Sequence, residues 1–109
     1  MFKVDPNPTF THTVKVKVPV DGGFREETLK ATYSVVPASE LEGFDLDESQ
    51  SSQAFLTRTV IGLDDIVDAE GNPLSFNHAV RDALFDLPYV RIALARVYFE
   101  GVAGARAGN

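Results

Sequence analysis

From Phe10 to Val20 apolar and polar residues alternate, with Val14, Val16, Val18 and Val20 on one face and Thr13, Lys15 and Lys17 on the other, which predicts a half-buried strand. Asp21-Gly22-Gly23 follows, and glycines beside an aspartate supply the positive φ that a tight reversal needs. A second alternating run places Leu29, Ala31, Tyr33 and Val35 on one face and Glu26, Thr28, Lys30 and Thr32 on the other. Residues 10–36 therefore read as an antiparallel β-hairpin. A lone hairpin is marginal in water, so this one must pack on the rest of the chain or add to strands of a neighbouring subunit.

After Pro37 the period changes. Residues 37–48 form an acidic connector carrying Glu40, Glu42, Asp45, Asp47 and Glu48, a linker or a short turn of helix. Residues 49–104 read as the helical part, which begins with a helix capped by Asp47 or Ser49 and running through Phe55, Leu56, Val60 and Ile61 to a stop at Gly62. Ile66-Val67 reads as a short extended piece before a turn at Ala69-Glu70-Gly71-Asn72. Asn77 then caps a second helix with Val80, Ala83, Leu84 and Leu87 at helical spacing.

Pro88 suits the first turn of a third helix, along which Tyr89, Ile92, Ala93, Val97 and Val102 form one stripe. Leu94, Tyr98 and Phe99 widen that stripe beyond a single core contact, so Ile92, Tyr98 and Phe99 are the candidate partner-binding residues. Leu63 and Phe55 are expected in the core. The glycines from Gly101 onward predict a fraying end, with 105–109 as the tail. The expected fold is α+β: an N-terminal hairpin followed by about three helices, in a single domain over 1–109.

Composition supports an ordinary globule, with 44% hydrophobic and 24% charged residues in 109. A formal net charge of −6 and ten scattered Lys and Arg argue against nucleic-acid binding, because the average field repels a polyphosphate. The absence of cysteine removes disulfides, thiolate nucleophiles and cysteine-based zinc sites, and fits a reducing cytoplasm. The opening Met1-Phe2-Lys3-Val4-Asp5-Pro6 lacks a signal-peptide core, and no segment approaches the roughly 18 apolar residues of a membrane span. We expect a cytoplasmic protein that does not enter membranes.

Candidate chemistry is sparse. His12 and His78 are the only histidines, no serine sits in a nucleophile elbow, and a histidine without an identified partner makes no catalytic site. The acidic run Asp64-Asp65-Ile66-Val67-Asp68-Ala69-Glu70-Gly71 suggests a calcium loop, but with Gly71 as the invariant glycine the first and twelfth positions fall on Ile66 and Asn77. A turn with solvated carboxylates is the better reading. No cofactor motif is present, and a non-enzymatic role is expected.

The order of several short segments resembles one family. Pro6-Asn7-Pro8-Thr9-Phe10 leading into Thr13-Val14-Lys15-Val16, then Val60-Ile61-Gly62-Leu63-Asp64-Asp65-Ile66-Val67-Asp68, Pro73-Leu74-Ser75-Phe76-Asn77 and Leu84-Phe85-Asp86-Leu87-Pro88-Tyr89-Val90, are together similar to the small tail assembly chaperones of long-tailed bacteriophages and prophages. The final helix with Tyr98 and the ending Ala105-Arg106-Ala107-Gly108-Asn109 complete the likeness, while Leu63 stands where the family pattern has a tryptophan. The resemblance implies a protein absent from the mature virion that binds the tape measure protein, keeps it soluble and helps recruit tail tube protein subunits. It also admits a homo-oligomer. The alternative is a minor structural tail protein or another small phage-encoded protein-binding module.

Overall fold

The two alternating runs form the hairpin they predict. In the computed structural model, which describes residues 1–104, strand β1 (Thr9–Val20) pairs antiparallel with β2 (Gly23–Ser34) in a register that sets Val14 opposite Leu29 and Val20 opposite Gly23. Only Asp21 and Gly22 lie between the strands, and Gly22 takes φ +79°, which is unstrained only for glycine. Val14, Val16, Leu29, Ala31 and Tyr33 are buried on one face. The alternation ends one residue before the pattern suggests. β2 stops at Ser34, the Val35 N–H donates to the Pro8 carbonyl, and Val36 rather than Val35 is the buried side chain.

The connector contains one helical turn, α1 (Ala38–Leu41), and leads to α2 (Ser49–Thr59). Neither Asp47 nor Ser49 caps α2. Asp45 is occupied with the Asp47 amide, and Glu48 takes the cap position, accepting from the Gln50 and Ser51 amides at 3.1 and 3.3 Å.

The expected extension of this helix to Gly62 is overturned. The buried Thr59 hydroxyl donates back to the Phe55 carbonyl, Val60 turns to extended geometry, and Val60–Asp64 becomes strand β3 on the open edge of β2. Val60 and Ile61 are β-branched and suit that edge. The result is a three-stranded antiparallel sheet in the order β1-β2-β3, with Lys30 opposite Asp64 and an irregularity between Thr32 and Tyr33.

At Asp65 (φ +60°) the chain leaves the sheet. Val67 bridges to Pro73, and the Asp68 carboxylate closes the turn by accepting from the Glu70 and Asn72 amides. Asn77 caps α3 (His78–Phe85) through the Val80 amide as expected, and Pro88 opens α4 (Pro88–Val102). Gly101 lies within α4, so the helix runs past the point where the glycines predicted fraying. A Cβ at Gly101 would run into the Phe10 ring, so glycine permits the helix to meet β1 closely. The proposed tail 105–109 lies outside the described residues.

The architecture is α+β. Helices α2 and α4 cover one face of the sheet, and α3 packs on α4. The core joins Tyr33, Phe55, Leu56, Leu63, Phe85, Leu94 and Tyr98, all at most 2% exposed, as expected for Phe55 and Leu63. No helix among the described residues is long and apolar enough to cross a membrane.

Candidate protein-interaction surface

Helix α4 decides which apolar residues remain available to a partner. Its inner face is Val90, Ala93, Leu94, Val97 and Tyr98, all buried. The core stripe is thus rotated from the predicted one, which combined Ala93 and Val97 with Ile92 and Val102. A helix apolar nearly all round allows several stripes, and contacts with β1 and α2 select among them.

Tyr98 is therefore a correction to the candidate set. It is 2% exposed, its hydroxyl oxygen accepts from the Val36 amide at 3.1 Å, and its ring meets Phe55 edge-on with centroids 5.3 Å apart. Burying a phenol is favourable when its polar tip finds such a partner, and here the partner is the amide just beyond β2. Tyr33 completes the arrangement by donating to the Leu94 carbonyl at 2.8 Å. Burial pushes the Tyr33 hydroxyl well above its ordinary value, with the nearby Arg96 charge opposing the shift.

The other two candidates differ from Tyr98. Phe99 is half-buried and stacks almost parallel on Phe55, with centroids 5.6 Å apart. Ile92 is 67% exposed, about half a turn from the core stripe. With half-buried Ala95 and exposed Val102, Ile92 and Phe99 make an outer apolar line at spacings of three, four and three residues. The line suits a partner helix. Two arginines hold α4 in place: Arg91 donates to the Phe85 carbonyl and the Ser49 hydroxyl, and Arg96 donates to the Lys15 carbonyl at 2.8 Å.

A second surface, missed at the level of sequence, is a groove of about 310 Å³ between the far half of the hairpin and α3–α4. Val16, Val18 and Leu29 form one wall, Ile66 and Val67 another, and Leu84 and Leu87 the floor. Arg25 and Glu27, paired at 2.6 Å, stand at its rim. The groove exists because the chain leaves the sheet at Asp65 while β2 continues beyond it. One signal was present in the sequence: the apolar alternation of β2 turns charged at Arg25 and Glu27 on the face that is otherwise core, marking where helices stop covering it.

The histidines are not brought together. His12 is half-buried against the edge of the Phe10 ring, and His78 is exposed at the start of α3. Neither pairs with a carboxylate among the described residues. The acidic run folds as a turn in which the Asn72 amide, followed by other donors, lowers the Asp68 carboxyl below its ordinary value. Comparison with family models, with curated proteins and with solved structures found no match for this chain.

Proposed function

We propose that this chain is a tail assembly chaperone of a long-tailed bacteriophage or prophage. It binds the tape measure protein in the bacterial cytoplasm, keeps it soluble, helps recruit tail tube subunits, and is absent from the mature virion. The observation that carries the reading is the ordered set of segments from Pro6 through Val90 that resembles this family. The outer line of α4 supports it physically: Ile92, Phe99 and Val102 leave apolar area at helical spacing beside a well-packed core. A long helical client with apolar stripes needs such a cover, and the net charge of −6 keeps a covered complex dispersed. A few such side chains make a modest contact, so displacement by tube subunits remains easy and many copies share the load.

The test is co-expression with a candidate tape measure protein. The expected result is soluble tape measure protein that co-purifies with the chain. If it stays insoluble and unbound, the reading fails, and detection of the chain in purified particles would instead identify a minor structural tail protein.

A further inference from the structure

We infer that residues Met1–Asp5 of one copy add as a strand to β2 of a second copy, filling the place in the sheet that β3 vacates at Asp65. The first ground is an open edge. In a hairpin closed by two residues, Val20 and Gly23 form a hydrogen-bonded pair, so every second residue of β2 from Phe24 turns its N–H and C=O away from β1. Lys30 and Thr32 spend those groups on β3. Phe24, Glu26 and Thr28 have no such neighbour, and their main-chain groups bond to nothing else among the described residues. The edge of β1 is obstructed by contrast: Arg96 takes the Lys15 carbonyl, and Pro19 has no N–H to offer.

The second ground is a matching segment. Phe2 and Val4 are 89% and 78% exposed, they alternate with Lys3, and Pro6 stops any strand they form. Set antiparallel with Lys3 opposite Glu26, the segment puts Phe2 and Val4 on the groove side of the sheet. Phe2 then stands opposite Glu27 and diagonal to Leu29, and Val4 stands opposite Arg25, three residues that line the groove with Ile66 and Val67. The same register puts Lys3 opposite Glu26 on the solvated face and Asp5 opposite Phe24, over whose ring the Lys17 ammonium lies at 5.1 Å. The opposite-charge pair Lys3–Glu26 and two apolar insertions thus agree on one register.

Reach decides that the strand comes from another copy. Thr9 pairs with Ser34, and Phe24 lies ten residues farther along β2, about 33 Å away. The four residue steps from Asp5 to Thr9 span at most about 14 Å. A chain cannot fill its own slot.

The absence of cysteine makes the test clean. A Lys3→Cys chain mixed with a Glu26→Cys chain should form a mixed disulfide on oxidation, whereas Lys3→Cys mixed with Thr13→Cys, on the strand whose edge is obstructed, should not. In sedimentation, Phe2→Ser with Val4→Ser should raise the self-dissociation constant at least about ten-fold, the loss expected from one buried apolar side chain. Its circular dichroism should be unchanged, and a synthetic peptide of residues Met1–Asn7 should compete with self-association of the natural chain. Equal cross-linking at positions 26 and 13, self-association indifferent to the double substitution, or a natural chain that stays monomeric at every concentration would each overturn the inference. These readouts need no client, so they stand apart from the co-expression test.

Discussion

The hydroxyl of Tyr33 on β2 donates to the main-chain carbonyl of Leu94 in the middle of α4, at 2.8 Å and out of contact with water. Sixty-one residues separate the two, and the bond sets the height at which the helix crosses the sheet. The Leu94 carbonyl keeps its helical partner if the phenol is lost. Tyr33→Phe should therefore cost only about 1 kcal/mol at neutral pH, measured by urea unfolding.

Alkaline pH sharpens that test. The folded-state pKa of Tyr33 is raised above its unfolded value because burial disfavours the phenolate. Its contribution is thus fully present below about pH 10 and declines as pH rises beyond that value, by about 1.4 kcal/mol per unit while the folded phenol stays protonated. Tyr33→Phe should remove this part of the alkaline decline. Ultraviolet titration should show the Tyr33 phenolate forming only as the protein unfolds.

Gly101→Ala sets two effects against each other. Alanine in a helix interior usually gains about 0.5–1 kcal/mol over glycine. Here its methyl group meets the Phe10 ring, and overpacking of this kind costs about 1–3 kcal/mol, so a net fall in melting temperature is expected. Combining it with Phe10→Leu should recover part of the loss, a coupling that a double-mutant cycle measures directly.

Ile92→Asp separates binding from folding. The side chain stands on the outer face of α4, so stability should change by no more than about 0.5 kcal/mol. Co-purification with the tape measure protein should fall sharply. Tyr98→Asp, by contrast, should unfold the chain, because the site is buried against Phe55 and the Val36 amide.

The Asp68 turn offers a local readout. Asp68 is half-buried and its carboxyl is held below its ordinary pKa first by the Asn72 amide, so its contribution is present above the unfolded value and lost as pH falls through the lowered one. Asp68→Ala should speed hydrogen exchange at the Glu70 and Asn72 amides and leave the sheet amides unaffected.

Sequence alone determined the elements whose causes are local. Alternation over Phe10–Val20 and Leu29–Tyr33, with Asp21-Gly22 between, made the hairpin legible, and Asn77 and Pro88 marked the starts of α3 and α4, because each signal acts within a few residues. Tertiary structure decided the rest. Val60-Ile61-Gly62 fits a helix end as well as a strand, and the free edge of β2 at Lys30–Tyr33 resolved the choice in favour of β3. Helix α4 is apolar on so many sides that its period could not say which residues face inward. The Val36 amide and the Phe55 ring drew Tyr98 into the core and left Ile92 outside. The groove came from the same source, since it depends on where β3 departs relative to the length of β2. Periodicity reports which residues share a face; only partners distant in sequence decide what that face meets.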